Sequence, residues 1–392
     1  MSGDIPMSLT CLLAIVVLAF LIAFYSYTSG GDGGGGGGGV EQFTGGVAGY
    51  TRCARVPVRG IIREILSDNA IRRSEAAAQD QWEMFYPCTY THAESELREL
   101  QLTNKKIYAV DGCDKLASKN MIWRLLVAAL GREQSATLMP ETFVANDPAD
   151  LRAFLTSYSP SNMYICKKNV QRKKGLEMSN NLDTLLKCQN RGFKVIQRYF
   201  KDVFVLGGRK LNLRMYVAVV CDPDGRRMAY LHRNGKCLYT NRPYSRDSTD
   251  FEEQITSVNL DPAVYETLPL DFIELRRTLA ADHGIAFVEE IFAPTARKLR
   301  QVMGALLPSV CTNGSLRTNV RFQLFGVDVI LTDAREPYVL EFNKGPEMHP
   351  ANTTDYSLKR CVLEDMLRIA QVLPPTAVER TNGFELLTEI RT

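Results

Sequence analysis

FQLFGVDVILTDAREPYVLEFNKGP, residues Phe322–Pro346, decides how the rest of the chain is read. It divides into two apolar strands, Phe322–Leu331 and Pro337–Phe342, joined by a polar turn through Asp333–Glu336. Pairing outward from Thr332 opposite Pro337 sets Leu331 against Tyr338, Ile330 against Val339, Val329 against Leu340 and Asp328 against Glu341. Directly opposed side chains lie about 5 Å apart, and like charges there are destabilising. Asp328 also interrupts an apolar run, where an unpaired carboxylate is costly to bury. Asn343 follows two residues after Glu341 and shares its face. Two carboxylates and an amide oxygen converging on one spot suit a hard cation such as Mg²⁺, commonly shared with the phosphates of a nucleotide. The alternative is a hairpin whose acids meet Arg or Lys from elsewhere.

The chain has 392 residues, enough for two or three lobes at roughly 150 residues each. Its apolar content of 45% and charged content of 23% are those of a globular protein. A net charge of +3 gives no reason to expect a nucleic-acid partner. The 10 cysteines include no CxxC pair and no Cys/His grouping with zinc spacing. Cys166, Cys221 and Cys361 lie in apolar contexts and read as small core residues, which favours a reducing compartment. His92, His232, His283 and His349 are not spaced as ligands.

After a short tail, residues 1–8, the run Leu9–Tyr27 (LTCLLAIVVLAFLIAFYSY) is uncharged and long enough to cross a bilayer core of roughly 30 Å. No Lys or Arg precedes it and no small-residue cleavage site follows, so it reads as an uncleaved signal anchor rather than a removable leader. Residues 28–49 are a glycine-rich tether. These features predict a single-pass membrane protein whose body faces the cytosol.

Working outward from the hairpin, a second strand, Lys210–Val220, alternates cleanly. Lys210, Asn212, Arg214 and Tyr216 share one face, and Leu211, Leu213, Met215 and Val217 the other. Two cations with an amide and a phenol, and no acid, suit a face turned toward an anion such as polyphosphate. Upstream, Met163–Cys166 reads as a strand, so Lys167 aims its ammonium at whatever lies beyond the strand's end. The turn Gln171-Arg172-Lys173-Lys174-Gly175 that follows is a candidate phosphate-covering loop, although most charged turns are simply solvated. Helices are expected over Val58–Gln79, Lys115–Leu130, Pro148–Leu155 (capped by Asp147), Asn181–Arg191, Leu268–Ala281, Ala293–Leu307 and Tyr356–Val372. Asn234-Gly235 predicts a two-residue hairpin between Met228–His232 and Lys236–Tyr239.

In sequence order LMPETFVAN, YICKKNVQRKKGL, VIQRYF, GGRKLNLRMYV, FEEQITS and the opening hairpin resemble the tubulin–tyrosine ligase-like family of the ATP-grasp superfamily, over roughly Lys115–Leu373. The resemblance implies an α+β fold in which central and C-terminal lobes clamp ATP between antiparallel sheets, behind a small N-terminal lobe. The corresponding ranges are 50–160 for the N-terminal lobe, 161–205 for the central lobe and 206–375 for the C-terminal lobe, with 376–392 a peripheral tail. It implies that Lys167, Arg172, Lys174 and Gly175 contact nucleotide phosphates and that Gln197, Arg198 and Tyr199 form the adenine hinge. Lys210 then reaches the base, Asn212 the ribose, and Arg214 the transferred phosphoryl group, while Asp328, Glu341 and Asn343 hold Mg²⁺. Arg214, Thr256 and Lys344 fall on the reacting side. The chain departs from the family pattern at Asn212 (usually Asp), at Thr256-Ser257 (usually Thr-Asn) and at Leu238 (usually Arg); Lys236, Arg242 and Lys344 lie close enough in sequence to substitute for that last cation.

The activity so implied is ATP- and Mg²⁺-dependent amide formation, through an acyl phosphate, between an amino acid and the carboxylate of an acidic protein tail such as tubulin's. The competing expectation is a nucleotide-binding adaptor that kept the fold and lost turnover.

Overall fold

The computed structural model describes residues 49–51, 58–74, 82–89, 91–170, 175–256, 260–375 and 381–391, all within the unit Gly45–Thr392. Two sheets form its frame. The smaller is preceded by α1 (Lys119–Leu130) and built from β1 (Thr142–Val144), β2 (Met163–Lys167), β3 (Leu176–Ser179) and β4 (Val195–Tyr199), with α2 (Pro148–Ser157) inserted after β1. Its order is β1-β4-β2-β3, antiparallel throughout. Asp147 caps α2 as its place before a proline predicts, accepting from the amides of Ala149 and Asp150 at 2.9 and 3.3 Å. Phe154 on α2 then packs with Phe143, Tyr164 and Ile196 as a separate small core. The helix expected over Lys115–Leu130 is broken: Ser118 is extended (φ −88°, ψ 118°) and separates Cys113–Ala117 from α1. Asn181–Arg191 likewise yields only Leu182–Leu186 and a 3₁₀ turn, and of Val58–Gln79 the described helix is Ile61–Asp68.

The larger sheet is organised by β5 (Arg209–Cys221), whose neighbours are β6 (Arg226–His232) and β7 (Lys236–Tyr239) on one edge. After α3 (Phe272–His283) and α4 (Ala293–Leu306) come β8 (Val320–Leu331) on the other edge of β5, then β9 (Pro337–Asn343), α5 (Thr353–Ile369) and β10 (Phe384–Arg391). The order is β10-β6-β5-β8, antiparallel, extended beyond β8 by short parallel strands at Lys106–Ile107, Met84–Phe85, Gly49–Thr51 and Arg72–Arg73. The sheet is therefore mixed, not wholly antiparallel, and the fold is α+β.

The alternation read in β5 decides the layering. Leu211, Leu213, Met215 and Val217 pack against α1, α3 and α4 through Trp123, Leu126, Leu275, Leu279, Leu299 and Val302. Each such side chain contributes roughly 1.5–3 kcal/mol on full burial. On the other face Tyr216, Ala218 and Val220 pack against Leu358, Val362 and Met366 of α5. That leaves Lys210, Asn212 and Arg214, the polar first half of the same face, without an apolar layer over them.

Several expectations are corrected. Asn234-Gly235 makes no hairpin: β6 and β7 do not pair with each other but lie in succession along one edge of β5. Gly235 is there for space, because a Cβ would come within 2.5 Å of the Arg214 carbonyl and the Phe272 ring. In the β8–β9 hairpin Asp328 does face Glu341, but nearer the turn Leu331 faces Pro337 and Val329 faces Val339. A bulge beside Asp328 absorbs the difference, since the turn spans Thr332–Glu336 and places Arg335 at φ +64°. The tail 376–392 is not merely peripheral: β10 extends the sheet beyond β6 and buries Phe384 and Leu387. Cys166 and Cys221 are buried as expected but are bonded to Cys188 and Cys311, partners that sequence spacing does not reveal. The expectation of a reducing compartment, built on thiols without partners, loses its basis. Finally, among the described residues no helix is long and apolar enough to cross a membrane. The expected membrane placement with a cytosol-facing body, and the membrane as partner, are corrected on that finding. The run Leu9–Tyr27 on which they rested lies outside the described residues, as do residues 28–48 of the tether.

Cys221 and Cys311 tie the far end of β5 to the chain before β8 across a separation of 90 residues. Replacing both with Ser should lower unfolding stability by about 2–5 kcal/mol. Urea unfolding measures this, and an unchanged midpoint would mean that the bridge does not form.

Candidate functional site

A cavity of about 350 Å³ lies between the two sheets. The smaller sheet contributes Ile165, Lys167, Gln197, Arg198 and Tyr199. The larger contributes Lys210, Asn212, Arg214, Leu238, Asp328, Ile330, Leu340, Glu341 and Asn343, and Gln254, Ile255 and Thr256 close one side. Of the positions expected to contact nucleotide or metal or to act in the reaction, thirteen are described, and all but Gly175 and Lys344 line this cavity.

At one end Gln197 donates to the Thr142 hydroxyl at 2.8 Å, and Tyr199 donates to the Gln254 carbonyl at 2.9 Å. Lys210 donates to the Tyr199 hydroxyl at 3.0 Å and the Gln254 carbonyl at 3.1 Å, its ammonium 4.5 Å from the Tyr199 ring centre. Burial, with Lys167 adding to it, brings the Lys210 ammonium down to about 7. Burial likewise pushes the Tyr199 phenol up. Arg198 is exposed on the rim and donates to Asn162 at 3.5 Å. In the middle Asn212 donates to the Thr256 hydroxyl at 3.0 Å, while its own Oδ1 is buried with no hydrogen-bond partner among the described residues. A buried acceptor on a cavity wall needs a donor, which water or a ligand entering the cavity can supply.

The far end holds the charges. Arg214 and Asp328 are register partners on β5 and β8, and the guanidinium grips the carboxylate through Nε–Oδ1 and through Nη2–Oδ2 at 3.0 Å. Gly326 makes room for this, since a Cβ there would meet the Arg214 side chain at 2.9 Å. Glu341 pairs with Lys119 at 3.4 Å and accepts from Asn343 Nδ2 at 3.4 Å. The acids thus do meet Arg and Lys, as the alternative reading of the hairpin allowed. Burial pushes the Asp328 carboxyl up against the pull of Arg214, and Glu341 adds to that push. Burial also works against the charge of Glu341, but Lys119, Lys167 and Arg214 together hold its carboxyl below the usual range. Burial brings Lys167 down to about 8, with Glu341 opposing.

The donor set fits a hard divalent ion. An ionised carboxylate offers about four lone-pair sites, so Asp328 keeps two after binding Arg214, and Glu341 and Asn343 each retain oxygen lone pairs. Three oxygen donors beside a pocket large enough for phosphates are what Mg²⁺ takes.

Other positions fall elsewhere. Lys344 does not line the cavity; its ammonium pairs with Asp114, and its carbonyl accepts from Gln323 at 2.7 Å. Gly175 closes the β2–β3 turn at φ +71°, packed on Lys168. Arg172, Lys174 and Ser257 lie outside the described residues. Sequence reasoning missed Lys119, whose place at the start of a helix carries no signal of its own, and Gln254, a polar residue in a short loop helix that is 1% exposed. Of the three cations considered as stand-ins at Leu238, Lys236 shares its strand face and is held by Asp355 at 2.9 Å, whereas Arg242 pairs with Asp250 at the exposed surface.

An α+β frame with a buried cation-and-carboxylate cleft between two sheets defines a catalytic or ligand-binding cleft. The sequence model of the tubulin-tyrosine ligase family matches residues 97–380, and the chain belongs to that family. A Bos taurus protein described as "probable tubulin polyglutamylase TTLL9" is 29% identical over 49% of this chain and 42% of its own length. The Homo sapiens "tubulin monoglutamylase TTLL4" is 22% identical over 70% of this chain and 24% of its own, and a Mus musculus "probable tubulin polyglutamylase TTLL2" is 22% identical over 79% and 59%. The chain thus spans under two thirds of the length of these relatives.

For a lysine depressed on folding, destabilisation is absent above the unfolded pKa, grows as pH falls from there, and is complete below the folded value. Lys210→Met should therefore gain stability relative to the parent chain between pH 9 and pH 6, measured by urea unfolding at both. A difference independent of pH would show that the ammonium is not desolvated.

Proposed function

We propose that the chain is an ATP- and Mg²⁺-dependent ligase that forms an amide bond between an amino acid and a carboxylate of a protein acceptor. The observation that carries this reading is the cavity between the sheets, where Lys167, Lys210 and Arg214 line the same space as the Asp328–Glu341 pair. In this reading residues 161–205 and 206–375 are the two lobes that clamp the nucleotide, behind an N-terminal lobe at 50–160. Gln197, Arg198, Tyr199 and Lys210 take the base. The unpartnered Asn212 Oδ1 accepts from a ribose hydroxyl, a role an amide fills without the charge of the usual Asp. Lys167 and Arg214 take the phosphates, with Arg172, Lys174 and Gly175 in the loop that covers them. Asp328, Glu341 and Asn343 hold the metal, which when bound offsets charge on the transferring phosphoryl group.

The chemistry that follows has two displacements. An acceptor carboxylate oxygen takes the γ-phosphoryl group of ATP and ADP leaves. The donor amine then attacks the acyl carbon of that acyl phosphate, phosphate leaves, and the amine's proton passes to solvent. This chain's contribution is orientation and charge: Arg214 and Lys167 would face the phosphoryl oxygens, and Thr256, held by Asn212, would act from the middle of the same cavity. Glutamate is the donor to try first and tubulin the acceptor, because the relatives are named for tubulin glutamylation. Lys236, two residues from Leu238 on the same strand face, would have to leave Asp355 to serve a donor or acceptor carboxylate there.

One observation favours the second reading, a nucleotide-binding adaptor without turnover. Leu238 puts an apolar side chain on the cavity wall where the family pattern has Arg. The purified chain with ATP, Mg²⁺, labelled amino acids and tubulin separates the two. The ligase reading expects label in the acceptor and at least a hundredfold loss in Glu341→Gln; nucleotide binding by thermal shift with no label under any acceptor would leave the adaptor.

A further inference from the structure

On the side of β5 toward β6 and α5, a cluster that the proposed reaction does not use joins three elements. His232 ends β6, Cys361 and Asp365 are one turn apart on α5, and Gly383 precedes β10. His232 Nε2 lies 3.4 Å from Asp365 Oδ2, Cys361 Sγ lies 3.7 Å from the same oxygen, and Sγ and Nε2 are 3.9 Å apart. One nitrogen, one sulfur and one oxygen therefore form a nearly equilateral triangle. Around a tetrahedral zinc ion with ordinary bond lengths, the edges of such a triangle are roughly 3.3–3.6 Å. The three atoms need close by only a few tenths of an ångström to share one ion.

The surroundings hold each ligand in the right orientation. His232 Nδ1 lies 3.0 Å from both the carbonyl and the amide of Asn234, and these contacts fix the ring with Nε2 facing the cluster; a metal on Nε2 selects the tautomer that donates from Nδ1 to the carbonyl. Asp365 Oδ1 accepts from Arg368 at 3.3 Å, and its Oδ2 accepts from the Gly383 amide at 2.8 Å. Gly383 has an ordinary backbone, yet a Cβ there would lie 2.3 Å from His232 Nε2 and 2.9 Å from Asp365 Oδ2. Glycine keeps the space between the ligands clear. His232 and Asp365 are 2% and 1% exposed, while Cys361 is half-buried and gives an ion a way in.

We propose that His232, Cys361 and Asp365 form a zinc site that pins β6, α5 and the start of β10 together. Thiolate, imidazole and carboxylate are the donor mixture zinc accepts, and the two anionic ligands neutralise its charge. Cys361 binds as thiolate, releasing its proton to solvent. The ligands are 133 residues apart in the chain at their widest, which is why no spacing rule detects them. The site also has a place in the architecture. Asp355 and Lys359 lie on α5 up to two turns before Cys361, and Lys236 follows His232 by one short loop, so the ion would fix the angle across which these three residues make their buried ion pairs.

The full chain, purified without chelator and reconstituted with zinc, should hold about one zinc per chain by plasma mass spectrometry. Cobalt exchanged for zinc should show a thiolate-to-cobalt charge-transfer band. Cys361→Ser should lose that band and at least tenfold in zinc affinity, and His232→Gln should lose a similar factor. A chelator should lower the melting temperature of the parent chain but not of Cys361→Ser, which keeps the test valid if the histidine variant fails to fold. A cooperatively folded parent chain with no zinc and no thiolate band, or a Cys361→Ser variant that retains both, overturns the proposal.

Discussion

The buried pair between Arg214 and Asp328 is the constraint around which the rest of this structure is arranged. Two charges removed from water hold only if their geometry is good and their remaining hydrogen-bonding capacity is met. Adjacent register positions on β5 and β8 supply the geometry, and Gly326 gives the guanidinium its room. The apolar first-half residues of β5 point the other way into the main core, so the strand cannot slip by one residue without burying Lys210, Asn212 and Arg214 against leucines. The same register that secures the core therefore aims the polar residues into the cavity.

From that pair the charges grade outward. Lys119 and Lys167 balance Glu341; Lys236 and Lys359 share Asp355 on the neighbouring helix. Lys167 and Lys210 gain little from direct ion pairs and are depressed by burial instead. An anionic ligand entering the cavity would relieve that desolvation, which is a physical reason for the site to favour polyphosphate over a neutral molecule.

How much of this was legible in the sequence depended on whether the signal was local. Strand alternation placed Lys210, Asn212 and Arg214 on one face, because that follows from a period of two. The hairpin count is one residue off from the turn to Val329, and Asp328 faces Glu341 as counted because the bulge beside it takes up that residue, which periodicity cannot register. Asn234-Gly235 misled because glycine answers to close approach as readily as to turn geometry. Partnerships across long separations were invisible: Cys221 with Cys311, His232 with Cys361, and the docking of Phe384–Arg391 on β6. Lys119 reaches Glu341 only because the helix break at Ser118 starts α1 beside the hairpin. Which of the chain's cations meets an acid is decided by tertiary packing.

The account stands on a nucleotide held between the two sheets, its phosphate end at the Asp328–Glu341 wall. The most direct measurement is a crystal structure of the chain with a non-hydrolysable ATP analogue and Mg²⁺. The account predicts the base beside Gln197 and Lys210, the ribose within hydrogen-bonding distance of Asn212 Oδ1, and an ion bound by Asp328, Glu341 and Asn343. A cavity without nucleotide at saturating analogue, with Asp328 still closed on Arg214 and no ion beside Glu341, would contradict it.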